Sequence, residues 1–120
     1  MKESETSVRA TDRKLIYICS PYSGDVASNT EKAKRYSRFA VDAGAIPIAP
    51  HLLLPLYMKE ESERDMALQM DLVIMARCDE LWVFGSEVTS GMRKEVEAAL
   101  LLHIKTRRFI EDLKEVKSYE

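Results

Sequence analysis

Apolar residues occur along this chain in two alternating patterns, short continuous runs and longer segments with helical spacing. Three runs are short and almost wholly apolar, which is typical of strands covered on both faces: "KLIYICS" (14–20), "AIPIAP" (45–50) and "ELWVFG" (80–85). Apolar residues three or four positions apart predict a helix after each run: residues 28–43, residues 62–77 and a segment of 86–103. "TRRFI" (106–110) is predicted as a last strand, and "EDLKEVKSYE" (111–120) as a charged terminal helix or tail.

The order of these elements, β-α-β-α-β-α, predicts the fold class. Strands that alternate with helices form a parallel sheet with right-handed crossovers and helices on both faces. We therefore predict an α/β fold, a single Rossmann-like (flavodoxin-like) domain with a four- or five-stranded parallel sheet. The polar residues 1–13 are predicted to be a disordered leader, and residues 14–120 to be the domain.

Composition narrows the classes of function. A net charge of −2, with 46% apolar and 32% charged residues, is typical of a globular protein and gives no reason to expect binding of polymeric nucleic acid. The richest apolar run, "AIPIAPHLLLPLYM", is interrupted by three prolines, so no membrane span is predicted. Cys19 and Cys78 lie far apart without a CxxC or Cys/His spacing, which indicates neither a disulfide framework nor a zinc site. We expect a cytoplasmic protein.

An acidic residue on the apolar side of the last helix is the first candidate for chemistry. Glu95 lies on the arc formed by Met92, Val96 and Ala99, about one turn inside the helix. Burial of a carboxylate is costly unless the group is paired or hydrogen-bonded. Either Glu95 forms a salt bridge or reaches solvent at the helix edge, or it is a nucleophile or base in a pocket.

Asp71 raises the same question on the preceding helix, where it shares a face with Ala67 and Ile74. Two inward carboxylates are what cleavage of a glycosidic-type bond requires, one at the electron-poor carbon and the other for protons or for the sugar. A salt bridge from Asp71 to Arg77 or Lys94 is the structural alternative.

The loops that follow the predicted strands supply further candidates. In parallel α/β sheets, ligands bind beyond the carboxyl ends of the strands. The first loop offers groups for a sugar or phosphate, although it lacks the GxGxxG and GxxxxGK[ST] patterns: Ser20, Tyr22, Ser23 and Gly24. His51, after the second strand, either stacks on or hydrogen-bonds a base or has a structural role.

The third loop leads into the helix of Glu95 through Thr89, Ser90 and Gly91. Hydroxyls and free N–H groups at a helix amino terminus hold a phosphate or another anion, or simply cap the helix. Tyr17, inside the first strand, is either a core residue or part of the site.

Three segments together resemble the nucleoside 2-deoxyribosyltransferase-like proteins, which include the 2′-deoxynucleoside 5′-monophosphate N-glycosidases: "IYICSPYSG", "DLVIMARCDELWVF" and "TSGMRKEVEAA". The resemblance covers about residues 14–103. "ICSPYSGD", "AIPIAPHLLLP" and "CDELWVFG" are similar to a group of small bacterial and phage proteins of that superfamily that lack an assigned activity.

The resemblance implies a role for several residues. Glu95 corresponds to the catalytic glutamate, and Asp71 to the aspartate that contacts the deoxyribose and assists protonation. Tyr17 corresponds to the tyrosine of the first strand, and Thr89 or Ser90 to the phosphate-side hydroxyl. The first loop lacks the arginine of the nucleotide hydrolases, and Arg93 replaces the family's glycine two residues before the glutamate.

These implications define the expected function. We expect a hydrolase or transferase that cleaves the N-glycosidic bond of a nucleoside or nucleoside 5′-monophosphate and needs no metal or redox cofactor. The resemblance also implies a homodimer or higher homo-oligomer, with pockets completed across a subunit interface. The alternatives are a non-catalytic nucleotide-binding or sensor module of the same fold, and a structural or partner-binding accessory protein.

Overall fold

A computed structural model describes residues 12–117 of the chain, so the predicted leader lies outside the described residues except for its last two positions. Within this range the strands are β1 (Leu15–Cys19), β2 (Ile46–Ile48), β3 (Glu80–Phe84), β4 (Lys105–Phe109) and β5 (Glu115–Val116). The helices are α1 (Val26–Asp42), α2 (Glu60–Ala76) and α3 (Ser90–Leu101). Two short 3-10 turns, Pro50–Leu52 and Leu54–Leu56, connect β2 to α2.

The strands form one sheet in the order β2-β1-β3-β4-β5. The pairs β1–β2, β1–β3 and β3–β4 are parallel, whereas β5 runs antiparallel to β4. This order confirms the predicted flavodoxin-like α/β class, and it places the point where the strand order reverses between β1 and β3. A ligand site is therefore favoured beyond the ends of these two strands.

Helices cover both faces of the sheet. On one face, α2 and α3 enclose a core that contains Tyr17, Cys19, Met75 and Met92. On the other face, α1 packs Tyr36 onto a cluster that includes Trp82, Phe84 and Phe109. Every residue of β3 is buried, which explains why residues 81–84 are continuously apolar rather than alternating.

The prediction of a terminal helix or tail over residues 111–120 is wrong. Within residues 111–120 the described part contains the short strand β5 instead of a helix or tail. Two hydrogen bonds of 2.6 and 2.9 Å join the Arg107 guanidinium to the Glu115 carboxylate, and the guanidinium lies 4.7 Å from the centre of the Trp82 ring. Contacts with β4, which local sequence does not reveal, therefore hold this charged segment against the sheet.

Several boundaries also differ from prediction, among them the start of α2, which lies at Glu60 rather than at residue 62. The second strand ends at Ile48 because Pro50 begins a 3-10 turn that is stabilised by the hydrogen bond from the Leu53 N–H to the Pro50 carbonyl, at 2.9 Å. The first helix begins two residues early, since the Asp25 side chain caps it by accepting from the Ser28 N–H at 3.1 Å.

No helix in the described range combines the length and the apolar character needed to cross a membrane.

Candidate active site

A cleft of about 330 Å³ opens at the carboxyl ends of β1 and β2, where α3 begins. Its walls come from the loop after β1, the two 3-10 turns, the amino-terminal half of α2 and the first turns of α3. The predicted site residues that line it are Ser20, Tyr22, Ser23, His51, Asp71, Thr89, Ser90, Gly91 and Glu95. The fold thus brings together side chains from four separate segments.

Two predicted site residues do not line the cleft. Tyr17 lies beneath it, buried, and contacts Glu95. Gly24 lies outside the lining, and its φ of 95° is in the left-handed region that favours glycine, as the turn before α1 requires. The composition of the first loop predicted a binding segment, but it did not indicate which of its residues line the cleft.

Glu95 is buried, as its place on the apolar arc of the helix predicts, with 3% of its surface exposed. The Tyr17 hydroxyl donates a hydrogen bond of 2.6 Å to Glu95 Oε2. None of the salt bridges between described residues involves Glu95. The carboxylate is therefore held by a neutral phenol on β1, and the salt-bridge alternative is not what the structure shows.

Burial determines the electrostatics of this pair. Desolvation raises the pKa of Glu95, while hydrogen bonds from Tyr17 and from the Cys19 thiol act in the opposite direction. Burial and the negative charge of Glu95 raise the pKa of Tyr17 well above its ordinary value, so the phenol keeps its proton. Tyr17 and Cys19 alternate along β1 and face the same side, and this spacing was the sequence signal that could have identified Cys19.

Asp71, on α2, has 8% of its surface exposed, and its Oδ1 atom is buried without a hydrogen-bond partner among residues 12–117. Burial, followed by the negative charge of Glu95, raises the pKa of Asp71 from 3.8 to about 7. The described salt bridges do not include one from Asp71 to Arg77 or Lys94. Asp71 can therefore exchange a proton near neutral pH.

His51 completes a group of three side chains. One nitrogen of His51 and one carboxylate oxygen each of Asp71 and Glu95 lie within 4.8 Å of one another. Burial lowers the pKa of His51, so the imidazole is neutral. The Tyr22 ring lies 5.0 Å from the imidazole, centre to centre, at an angle of 54°. These residue types also coordinate divalent cations, and the three are the described residues that could hold one.

The start of α3 has the capping role that its sequence allowed. Thr89 Oγ1 accepts a hydrogen bond of 3.2 Å from the Met92 N–H, and Ser90 and Gly91 line the cleft beside it. Capping and anion binding are compatible, because a helix amino terminus presents several N–H groups.

Sequence reasoning missed part of the lining. The cationic side chains Lys59, Arg64 and Lys94 line the cleft, together with apolar residues of the 3-10 turns and α2: Leu54, Pro55, Met58, Ala67 and Leu68. The shared helix face of Ala67 and Asp71 was a usable signal. The positions of the 3-10 turns depend on tertiary packing, so nothing in the sequence indicated that these apolar residues line the cleft.

Comparison with known proteins assigns the chain to a family. A family model described as a domain of unknown function, DUF7768, matches residues 14–109. The chain belongs to the DUF7768 family. No curated protein matches this DUF7768 chain.

A protein of known structure has a fold similar to that of the DUF7768 chain. The chain is similar to a 2-deoxyribosyltransferase from Bacillus psychrosaccharolyticus, with a TM-score of 0.62 and 21% sequence identity over 87% of this chain and 77% of that one. At this identity the likeness shows a shared fold.

Replacement of Tyr17 by phenylalanine tests the central hydrogen bond of the DUF7768 site. We expect the free energy of unfolding at pH 8 to fall by about 1–3 kcal/mol, because the buried carboxylate of Glu95 loses its donor. The loss should shrink at acidic pH, where Glu95 is protonated. Urea denaturation of both proteins across pH measures this difference.

Tyr36 provides the matched control, because it is equally buried but stacks on Phe84 on the opposite face of the sheet. Tyr36→Phe should change stability less and without this pH dependence. Equal losses in the two variants at every pH would show that the Tyr17–Glu95 contact is not stabilising.

Proposed function

We propose that this protein cleaves the N-glycosidic bond of a nucleoside or nucleoside 5′-monophosphate, with Glu95 as the nucleophile and Asp71 as the proton carrier. One observation carries the proposal: a buried carboxylate without a cationic partner faces a cleft that also holds an unpaired acid. Such a carboxylate is ready to stabilise positive charge that develops on a substrate.

In the first step, the Glu95 carboxylate attacks C1′ of the sugar while the bond from C1′ to the base nitrogen breaks. The electron pair of that bond leaves with the base, and the protonated Asp71 supplies the proton that neutralises it. The negative charge of Glu95 stabilises the oxocarbenium-like transition state and then forms a glycosyl ester. Because Tyr17 donates to Oε2, Oε1 is the oxygen placed to attack.

In the second step, an acceptor attacks C1′ and the ester bond to Glu95 breaks. With water as the acceptor, Asp71 takes up the proton and a free sugar is released. With a second base as the acceptor, Asp71 takes up the proton of its attacking ring nitrogen, a new nucleoside forms, and the enzyme is a transferase. In either case Glu95 returns to the carboxylate form.

The separation of the acids favours this two-step route over direct attack by water. The oxygens of Asp71 and Glu95 lie within 4.8 Å of each other. Glycosidases that place a water between two carboxyl groups need about 6.5–9.5 Å, whereas those that form a covalent intermediate need about 5 Å. The cleft therefore suits a covalent intermediate better than a directly attacking water.

The remaining lining residues are assigned to substrate binding. The sugar lies between Glu95 and Asp71 in this proposal, and the base lies against His51 and Tyr22. Sugar hydroxyls or a 5′-phosphate contact the polar residues at the two other edges of the cleft: Ser20, Ser23, Thr89, Ser90 and Gly91. The fold shared with a 2-deoxyribosyltransferase supports this class of substrate.

The decisive experiment is incubation of the purified protein with a panel of ribo- and deoxyribonucleosides and their 5′-monophosphates, followed by chromatography for free base. Release of base supports the enzyme. Calorimetric binding without release would contradict catalysis and favour a nucleotide sensor. Absence of both binding and release would favour an accessory protein.

We further propose that the protein acts in the cytosol as a homo-oligomer. Both cysteines are free, as a reducing compartment requires. Apolar side chains exposed on α2 and α3, among them Met66, Val73, Leu100 and Leu101, would be covered by assembly. Sedimentation velocity distinguishes the oligomer from a monomer.

A further inference from the structure

Two polar atoms in the cleft wall lack a partner within the described part of the chain: His51 Nδ1 and Asp71 Oδ1. Both are sealed from solvent, and both belong to residues that line the cleft. Buried polar atoms in native proteins are nearly always hydrogen-bonded, so each exception needs an explanation, such as a catalytic role or a bound partner. A ligand that fits here therefore supplies a partner to each atom.

The chemical state of His51 decides which partner it accepts. Its imidazole is neutral, so one nitrogen donates a hydrogen bond and the other accepts one. A buried N–H without an acceptor is rarer than a buried acceptor without a donor. We therefore place the proton on Nε2, which leaves on Nδ1, in a residue of the cleft lining, a buried lone pair that requires a donor.

Asp71 has the complementary requirement. In the proposed reaction it is protonated when the bond to the base breaks, so it donates a hydrogen bond to the leaving base and requires an acceptor there. A nitrogen of His51 and an oxygen of Asp71 lie within 4.8 Å of each other, close enough for one edge of a base to reach both. The Tyr22 ring lies beside the imidazole, 5.0 Å from it centre to centre.

Building on the proposed function, we propose that His51 and Asp71 together select bases in which a ring nitrogen lies beside an exocyclic amino group. The ring nitrogen accepts from Asp71, and the amino group donates to His51 Nδ1. Adenine presents such a pair of groups, and cytosine has an amino group where uracil has an oxo group. An oxo base turns a lone pair toward the lone pair of His51 and is rejected.

The test compares kcat/KM for pairs of substrates that differ at this one group: 2′-deoxyadenosine against 2′-deoxyinosine, and 2′-deoxycytidine against 2′-deoxyuridine. We expect the amino member of each pair to be preferred on the order of 10- to 100-fold. In His51→Ala the preference should disappear because only the amino members slow down. In His51→Gln, whose amide both donates and accepts, the two members should approach equal rates.

His103, the other histidine of the chain, is exposed at the end of α3 and serves as the matched control. His103→Ala should keep the full preference. Base release at equal rates from both members of each pair, or a preference that survives in both His51 variants, would overturn this inference and leave the proposed function intact.

A binding measurement separates the two claims if no substrate is cleaved. Calorimetry with free adenine and free hypoxanthine, on a Glu95→Gln variant, measures recognition without turnover. Tighter binding of adenine, lost in the double variant with His51→Ala, supports the selection even if the proposed reaction fails. Equal affinity for the two bases overturns it.

Discussion

Glu95→Gln is expected to abolish base release and to leave the fold intact. Glutamine has the same shape, and its amide oxygen can still accept from the Tyr17 hydroxyl, but it cannot attack C1′ or neutralise positive charge there. We expect kcat to fall on the order of 10⁴-fold or more, as for the loss of a covalent nucleophile. Chromatography of released base measures the loss, and mass spectrometry should detect a sugar ester on the wild type alone.

The stability of Glu95→Gln, unlike its activity, should not decrease. Burial raises the pKa of Glu95, which means that the folded protein holds a carboxylate at a cost. Removal of that charge should leave the melting temperature at neutral pH unchanged or higher. A melting temperature below that of the wild type would contradict this expectation of unchanged or higher stability.

Glu97 offers the matched control, because it lies two residues further along α3 and is exposed. Glu97→Gln makes the same chemical change on the same helix outside the cleft, so it should retain wild-type activity. Substantial activity in Glu95→Gln, above a tenth of the wild-type rate, would rule out Glu95 as the nucleophile.

Base release is expected to decline as the pH rises through about 7, about tenfold for each pH unit. The reason is that burial and the charge of Glu95 raise the pKa of Asp71 to about 7, so the acid form that protonates the leaving base is lost above that pH. An acid limb is expected as well, because Glu95 must be ionised to attack. The pH profile of kcat/KM therefore has a maximum, and its alkaline limb belongs to Asp71.

Asp71→Asn removes the proton donor and should lower the rate about 10²- to 10⁴-fold and flatten the alkaline limb. Asp42→Asn is the control, since Asp42 is exposed on α1 and pairs with Arg38 at the surface. An alkaline limb that persists unchanged in Asp71→Asn would show that another group donates the proton.

Asp71 also makes the stability of the folded protein depend on pH. Its pKa is about 7 in the folded protein against 3.8 ordinarily, so the folded state binds a proton more tightly than the unfolded state. The stability associated with the protonated form is complete below pH 3.8 and is lost as the pH rises to about 7, by about 4 kcal/mol in total. Asp71→Asn should therefore be more stable than the wild type at pH 8, and urea titrations at pH 4 and pH 8 measure this gain.

The alternation of apolar runs and helical segments was enough to predict the fold, because parallel strands with both faces covered show continuous apolar runs. β3 is the clearest case, since all five of its residues are buried. β5 could not be predicted in the same way. It is short and charged, and it is held by Arg107 of the neighbouring strand, a contact that the spacing of apolar residues does not indicate.

The same physical reason separates the residues of the candidate site that the sequence pattern revealed from those that it did not. Glu95 and Asp71 were found because an ionisable residue on an apolar helix face conflicts with the pattern around it. Lys94 and Leu54 were missed because a lysine on an exposed helix and a leucine in a loop conflict with nothing locally. The folded chain brings both residues into the lining of the same cleft as the acids.

The two borders of the sheet limit how copies of this protein can associate. At one border, β2 contains Pro47, which lacks the N–H needed to continue a hydrogen-bonded ladder. At the other, β5 has only two residues and so offers few free peptide groups. Neither border suits strand-by-strand extension between molecules, so self-association by growth of the sheet is disfavoured, and contacts through the helices are the route left open.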